Sequence, residues 1–135
     1  WGLIPWFSKD GEPSYSTINA RAEGVQTAAS FREPFKNERR CIVPATGFFE
    51  WPGEAGRKQA YAITIPERPL FAFAGLWESW LGADGSELET MAILTTSANA
   101  TMEPIHDRMP VIIAPEHFDV WLDCTTGTLV FVAID

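Results

Sequence analysis

The chain has 135 residues, enough for one hydrophobic core and too few for two. It is 46% hydrophobic and 21% charged, a composition typical of soluble globular proteins. No apolar run approaches the roughly 20 residues that a membrane-spanning helix needs, and no secretory leader is evident. We therefore expect a single domain with no membrane partner, located in the cytoplasm.

The two cysteines, Cys41 and Cys124, form no CxxC pair, which favours a reducing compartment. A zinc site made of these cysteines with His106 and His117 is conceivable, but the spacing matches no metal motif. The sequence also lacks a P-loop, a GxGxxG fingerprint and a Ser–His–Asp order. We therefore expect neither a metal nor another cofactor.

The net charge of −8 argues against strong nonspecific binding to nucleic acid. The charge is unevenly distributed, since residues 1–60 hold eight Lys/Arg against seven Asp/Glu (+1) and residues 61–135 hold two against eleven (−9). A phosphate-facing surface would have to be built from the first half of the chain, around Arg21, Arg32, Lys36, Arg39, Arg40, Arg57 and Lys58. The alternative is that these are scattered solvated charges, and charge alone favours that interpretation.

Hydrophobic patterning predicts many short strands and few short helices. The predicted strands cover residues 1–7, 41–43, 48–51, 61–65, 71–77, 88–95, 109–113 and 129–134. The predicted helical segments cover residues 20–29 (capped by Asn19), 32–38, 98–102 and 116–122, and loops or turns cover 9–16, 44–47, 52–58 and 83–86. This order predicts an α+β fold, mainly an antiparallel curled sheet or open β-barrel with a few short helices.

Glu50 lies between two aromatic residues, Phe49 and Trp51, at the end of a predicted strand. Alternation along the strand places Glu50 on the face of Phe48, opposite Phe49 and Trp51. A carboxylate near aromatic rings is partly shielded from water, which suits a general acid or base. The alternative is an exposed charge at a strand end, which is slightly favoured when Glu50 is considered alone.

His106 lies in a loop bracketed by Pro104 and Pro110, and a histidine held in such a loop can transfer a proton near neutral pH. A hydrogen-bonded structural role is the commoner outcome for a lone histidine, and Asp107 could cap the turn and pair with Arg108. The amide of Asn19 can orient a reacting group or cap a helix, and capping is the default.

Several side chains could contact nucleic acid if they lie at the surface. Arg21 could bind a phosphate beside the N-terminus of the predicted helix. Trp6 and Phe7 offer faces on which bases stack, although both could be core residues, and we expect Trp1 to lie in the core. Taken alone, these residues indicate an α+β domain with a candidate carboxylate–imidazole site.

Six segments, taken in order, carry a more specific signal. They are WGLIPW (1–6), INARAE (18–23), RCIVP (40–44), GFFEW (47–51), AGLWE (74–78) and IHDRMP (105–110). Together they resemble the SRAP family (SOS-response-associated peptidases, also called abasic site processing proteins). The likeness extends over essentially the whole chain.

The resemblance implies a DNA-repair protein that senses abasic sites in single-stranded DNA. We expect it to act as a monomer in the cytoplasm, associated with the nucleoid if the source is bacterial. In this family the N-terminal cysteine captures the ring-opened sugar as a thiazolidine crosslink, with possible AP-lyase activity. The chemistry is reasonable because an α-amine is partly neutral at cellular pH and the adjacent thiol traps the imine intramolecularly. Two alternatives remain, a thiol peptidase with self-processing activity and a non-catalytic single-strand-binding module.

The resemblance also implies roles for individual residues. The implied catalytic residues are Asn19, which orients the cysteine, Glu50, the acid and base for ring opening, and His106, which assists proton transfer. The implied DNA-binding residues are Trp6, Phe7, Arg21 and Arg108. Arg39 and Arg40 are weaker candidates for the same basic surface.

The chain departs from the family pattern at its ends. It begins at Trp1 within an apolar run, and the segment that would hold the N-terminal cysteine is missing. We interpret Cys41 as a packing residue and Cys124 as part of a turn, so neither replaces that cysteine. We therefore expect residues 1–135 to form a single SRAP-like domain that is truncated at the N-terminus and also at the C-terminus.

Overall fold

The computed structural model describes residues 1–13, 16–53 and 56–123. The predicted strand at 129–134 and Cys124 lie outside the described residues. The strands are β1 (Asn19–Arg21), β2 (Arg40–Ala45), β3 (Phe48–Glu50), β4 (Tyr61–Ile63), β5 (Phe71–Leu81), β6 (Glu87–Ser97), β7 (Arg108–Pro110) and β8 (Ile112–Ile113). The helices are α1 (Arg32–Lys36) and α2 (Phe118–Leu122), with single 3₁₀ turns at Ala22–Gly24 and Pro115–His117. None of the helices in these ranges is long and apolar enough to cross a membrane.

The main sheet is built around the antiparallel hairpin of β5 and β6, each 11 residues long. The hairpin turn is stabilised by Asp84, whose carboxylate accepts hydrogen bonds from the main-chain N–H and the hydroxyl of Ser86. Strand β2 pairs antiparallel with β5, and β1 pairs parallel with β6. The described strands do not close into a barrel. The predicted α+β fold with a mainly antiparallel open sheet is therefore confirmed, with one parallel pair added.

Strands β7 and β8 lie where β5 and β6 separate. Strand β7 pairs with the end of β6, and β8 pairs with the start of β5. Between them, the N–H of Val111 donates to the carbonyl of Leu94 at 2.9 Å, and its carbonyl accepts from the N–H of Ala74 at 2.9 Å. The predicted strand at 109–113 is therefore divided into two short strands that bridge β6 and β5.

The main sheet buries both of its faces. Parallel pairing places Ala20 of β1 opposite Leu94 of β6, and both are fully buried. The first-face cluster consists of Leu3, Ala20, Val25, Phe31, Ala74, Leu76, Ala92, Leu94, Val111, Ile113 and Trp121. The second-face cluster consists of Phe71, Phe73, Ile93, Met102, Met109 and Ile112. Because side chains alternate along each strand, the sheet divides the single core expected from the chain length into these two clusters.

The small antiparallel sheet of β3 and β4 packs on the second face. The ring of Phe48 contacts Phe73 edge-on, with the ring centroids 5.9 Å apart. Ile63, the partner of Phe48 in β4, packs against the same cluster. Phe49 points the other way and is exposed, as the predicted alternation requires.

Two predictions for the first third of the chain are wrong. Asn19 does not cap a helix over residues 20–29, because Asn19–Arg21 is strand β1 and only one 3₁₀ turn follows it. Residues 1–7 form no strand. The N–H of Gly2 donates to the carbonyl of Met91 (3.0 Å) and the N–H of Leu3 to the carbonyl of Thr17 (3.2 Å), and the carbonyl of Pro5 accepts from Ser8 in a local turn (2.9 Å). In both places the hydrogen bonds that decide the conformation are made to residues distant in sequence.

Gly75 lies in β5 between its register partners, Cys41 of β2 and Ile93 of β6. A Cβ atom at this position would lie 2.7 Å from Sγ of Cys41 and 3.2 Å from the carbonyl oxygen of Ala92. We expect Gly75→Ala to destabilise the protein by about 1–3 kcal/mol, because the packed strands have to move apart. Urea unfolding measures this, with Gly24→Ala as the control because an added Cβ there meets nothing within 4 Å. Equal stabilities of the two variants would contradict the close approach.

Candidate functional site

The sheet brings four of the predicted site residues to the second half of β6. Asn19 pairs in register with Ile93, and Arg21 pairs with Thr95. Arg108 begins β7 opposite Ser97, and His106 lies two residues before it. Asn19, Arg21 and His106 are exposed. No hydrogen bond joins Asn19, Glu50 and His106 to one another within the described ranges, so these residues share a region rather than a direct network.

Glu50 approaches this region from the small sheet. It is half-buried and lies two residues after Phe48, so both side chains point toward the second face of the main sheet. Its cross-strand neighbour is Tyr61. The carboxylate has no hydrogen-bond partner among the described residues, so its oxygens are available to a ligand.

The elements that carry the other two predicted catalytic residues also border the second face. Asn19 points to the same face as its partner Ile93, which belongs to the second-face cluster. Ile105, the residue before His106, packs against this cluster as well. The three elements that carry Asn19, Glu50 and His106 therefore border one side of the main sheet.

The ring of His106 is held by its own loop. Its Nδ1 accepts a hydrogen bond of 2.9 Å from the main-chain N–H of Arg108 and lies 3.2 Å from a carboxylate oxygen of Asp107. A neutral ring that accepts at Nδ1 carries its proton on Nε2. In this tautomer His106 presents Nε2–H as a donor to a ligand. In the other tautomer Nδ1–H donates to the carbonyl of Arg108, 3.2 Å away, and Nε2 is an acceptor.

The guanidinium of Arg108 does not pair with Asp107, contrary to one expectation. It forms two parallel bonds to the carboxylate of Glu23, at 2.8 and 2.9 Å, and also donates to the carbonyl of Thr95 at 2.8 Å. The hydrogen bond from Arg108 lowers the pKa of Glu23, with smaller contributions from the charges of Arg108 and Arg21. Nothing in the sequence signals this pair, whose members are 85 positions apart.

The pairing predicts how stability depends on pH. Because the pKa of Glu23 is lowered in the folded protein, its contribution is complete above the carboxyl's ordinary pKa and is lost as the pH falls through the lowered one. We expect Glu23→Gln to be less stable than the parent at neutral pH, and the difference to vanish in strong acid. Urea unfolding at a series of pH values checks this. A stability difference that persists unchanged into acid would contradict it.

Exposed aromatic residues flank the site on two sides. Trp6 and Phe7 are 60% and 49% exposed, and their rings meet edge-on with centroids 5.8 Å apart. Their segment runs past Thr90, whose hydroxyl accepts from the N–H of Ile4 at 2.8 Å. Thr90 precedes Ile93, the partner of Asn19, by three positions, or about 10 Å along a strand. Trp6 and Phe7 therefore lie toward the other end of β6 from Arg108.

The aromatic residues beside Glu50 complete this set and were not assigned a binding role from the sequence. Phe49 and Trp51 are both exposed on the outer face of β3, with ring centroids 6.2 Å apart. Alternation on either side of Glu50 is the sequence signal that could have identified them. Trp1 is also 73% exposed, so the expectation that it lies in the core is wrong. Its indole N–H donates to the carbonyl of Ile18, next to Asn19.

The cationic surface is smaller than the sequence suggested. Arg39 pairs with the fully buried Glu78, and its guanidinium lies over the ring of Trp77. Arg40 lies over the ring of Trp121 and donates to its carbonyl oxygen at 3.4 Å. Both side chains are therefore engaged within the protein, and Arg21 is the exposed cation nearest to Asn19 in the chain.

Cys41 lies beside an open pocket of about 400 Å³ on the second face. The pocket is lined by Cys41, Ile42, Val43, Pro44, Trp77, Glu89, Thr90 and Met91. Burial raises the pKa of the Cys41 thiol, so little of it is thiolate at neutral pH. This environment agrees with a packing role. No group of three or more His, Cys, Asp or Glu suitable for a metal occurs in the part of the chain that the structure describes.

Fold and site together define a small α+β domain with carboxylate, imidazole and amide groups beside exposed aromatic and cationic side chains. Residues 1–130 match the model of the family described as SOS response associated peptidase (SRAP), and the chain belongs to this family. The resemblance inferred from the six sequence segments is therefore confirmed.

Individual relatives support the assignment. The chain is 46% identical over 124 residues to the abasic site processing protein YoqW of Bacillus subtilis, covering 91% of this chain and 55% of YoqW. It is 32% identical to the abasic site processing protein HMCES of Gallus gallus, covering 91% of this chain and 44% of HMCES. A crystal structure of a Bacteroides thetaiotaomicron protein superposes with a TM-score of 0.84 at 38% identity, covering 93% of this chain and 57% of that protein. The chain therefore spans about half the length of the relatives it matches.

Proposed function

We propose that this chain is part of a DNA-repair protein that senses abasic sites in single-stranded DNA and captures them covalently. The relatives named as abasic site processing proteins support this function. The observation that carries it is the convergence of the elements bearing Asn19, Glu50 and His106 on one side of the main sheet. Because the chain spans about half of each relative, the proposal concerns the whole protein.

The proposed capture is a condensation with balanced atoms. The α-amine of an N-terminal cysteine, which is not among these 135 residues, attacks the aldehyde carbon of the ring-opened sugar to give a carbinolamine. Loss of one water gives the imine, and the thiol sulfur then adds to the imine carbon while the thiol proton passes to the nitrogen. The product is a thiazolidine, and proximity of amine and thiol favours the closure.

Three groups would serve this chemistry. The half-buried carboxyl of Glu50 would donate and accept the protons of ring opening and water loss, since no other group in the described ranges occupies its oxygens. The Nε2–H of His106 would assist proton transfer at the sugar oxygen. The exposed amide of Asn19 would orient the amine, because an amide both donates and accepts hydrogen bonds.

The DNA strand would bind across the exposed aromatic and cationic side chains. Trp6 and Phe7 would stack on bases on one side of the lesion, and Trp51 offers a further face beside Glu50. Arg21 would contact a phosphate next to Asn19, and Arg108 would add a contact through a remaining guanidinium N–H. A net charge of −8 limits affinity for undamaged DNA, which suits a protein that selects a lesion.

Further properties follow from the same proposal. An imine at the sugar makes the neighbouring C–H acidic, so strand cleavage by β-elimination, an AP-lyase activity, is included. We propose a monomer that acts in the cytoplasm or at the nucleoid without a metal. Self-processing or peptidase activity through the same cysteine is an alternative, and so is a binding module in which Glu50 and His106 are dispensable. The exposed aromatic rings and the exposed Arg21 favour nucleic acid over a peptide as the ligand.

The test uses the natural full-length protein and single-stranded DNA with one abasic site. The proposal predicts a denaturation-resistant protein–DNA band that depends on the lesion. Unmodified single strands and a duplex with the same lesion serve as controls. Equal binding of damaged and undamaged strands with no resistant band would reject covalent capture and leave the binding module. Cleavage of a peptide substrate without capture would favour the peptidase.

A further inference from the structure

Glu23 connects the two chain segments that carry the proposed reacting groups. It lies in the 3₁₀ turn directly after β1, the strand of Asn19. Its partner Arg108 begins β7, two residues after His106. Within the described ranges, their pair of hydrogen bonds is the one side-chain hydrogen-bonded link between residues 19–24 and residues 104–110.

The link continues from Arg108 to the imidazole ring. The main-chain N–H of Arg108 is the group that donates to Nδ1 of His106 at 2.9 Å. The guanidinium is fixed from a second side by Thr95, whose carbonyl accepts from Nη2 at 2.8 Å. A displacement of Arg108 would therefore change the hydrogen bond that orients the ring of His106 and selects its tautomer.

The guanidinium has little capacity for other partners. Nη2 donates to both Glu23 and Thr95, and one hydrogen of Nη1 is used by Glu23. Nε is buried and has no acceptor among the described residues. One N–H of Nη1 therefore remains for a phosphate. The side chain as a whole is only 18% exposed. Most of the hydrogen-bonding capacity of Arg108 is therefore spent within the protein.

We infer that Glu23 is a positioning residue that fixes Arg108 relative to Asn19. The main-chain N–H of Arg108 in turn fixes the ring of His106. The expected effect of Glu23 on the reaction rests on the proposed function. The positioning of Arg108 and His106 by Glu23 does not. A bidentate carboxylate–guanidinium pair fixes the orientation of the guanidinium as well as attracting it, whereas a single point charge supplies attraction alone. Glu23 itself contacts none of the proposed reacting groups in the described ranges; its side-chain partner there is Arg108.

The first arm of the experiment uses the free full-length protein. Glu23→Gln should shift the Nδ1 nitrogen resonance of His106 at a pH where the ring is neutral. It should also speed hydrogen exchange of the Arg108 main-chain N–H about tenfold, because the hydrogen bond to Nδ1 weakens. The ring of His117, the second of two histidines, is the internal reference. Glu33→Gln is the matched control, since Glu33 pairs with an arginine on α1, at a distance of 3.8 Å.

The second arm measures the rate of lesion-dependent crosslinking and the affinity for undamaged single strands. We expect Glu23→Gln to slow crosslinking about tenfold while affinity changes less than about twofold, and Glu23→Asp, which keeps the charge, to restore part of the rate. Unchanged His106 and Arg108 signals in a folded Glu23→Gln protein would overturn the inference. Altered signals with an unchanged rate would also overturn it. If the parent protein forms no crosslink, the proposed function fails, and the first arm still decides whether Glu23 positions His106.

Discussion

Glu50→Gln is expected to slow capture of an abasic site by at least about a hundredfold, the usual contribution of a general acid or base. Glutamine has nearly the same shape, so the packing of β3 on the second face through Phe48 should be preserved. What is lost is a group that exchanges protons with the sugar and the carbinolamine. The rate of formation of the denaturation-resistant band, measured with protein in excess over DNA, gives the effect directly.

The control for this variant is Glu67→Gln. Glu67 is exposed in the loop between β4 and β5, so its substitution removes one negative charge without touching the site. Both variants should bind undamaged single strands as the parent does. A Glu50→Gln protein that crosslinks as fast as Glu67→Gln would show that Glu50 has no part in proton transfer.

Trp121→Ala is expected to destabilise the protein by about 3–5 kcal/mol, the range for removing a buried tryptophan from a core. The ring is 6% exposed within the first-face cluster. Its indole N–H donates to the carbonyl of Cys41 at 2.9 Å, and Arg40 stacks over it with Cζ 5.3 Å from the ring centroid. The substitution therefore removes apolar burial, a hydrogen bond and a cation–π contact, and detaches α2 from β2. The free energy of unfolding in urea measures the loss.

Trp1→Ala provides the matched comparison, since the same side chain is removed from an exposed position. Trp1 keeps a hydrogen bond to Ile18, but 73% of its surface is exposed. Its removal should cost less than about 1 kcal/mol, as is usual for surface substitutions. Similar losses for the two tryptophans would contradict the placement of Trp121 in the core and of Trp1 at the surface.

The sheet could be predicted from the sequence where local signals decide the structure. Strands β5 and β6 are long apolar segments joined by a turn with Asp84 and Gly85, and both the strands and the turn were predicted, although the strands are longer than expected. Strand β1 was not predicted, because the alanine-rich sequence after Asn19 favours a helix. The burial of Ala20 against Leu94 outweighs that preference, and Leu94 is 74 positions away.

Less of the site than of the sheet could be predicted from the sequence by physical reasoning. Alternation placed Glu50 correctly on the face of Phe48, but its proximity to the elements of Asn19 and His106 depends on how two sheets pack. The functional roles of these residues came from the family resemblance, and they stay predictions. The Glu23–Arg108 pair had no local signal at all, since Glu23 follows β1 and Arg108 begins β7, two strands on opposite sides of β6.

The central claim, that this family member captures abasic sites through an N-terminal cysteine, is tested most directly by mass spectrometry of the crosslinked protein. The full-length protein is reacted with a single strand carrying one abasic site, and the DNA-modified peptide is sequenced. We expect an adduct on the N-terminal cysteine whose mass is that of peptide plus DNA minus one water. An adduct on Cys41 or on a lysine, or no lesion-dependent adduct, would contradict it.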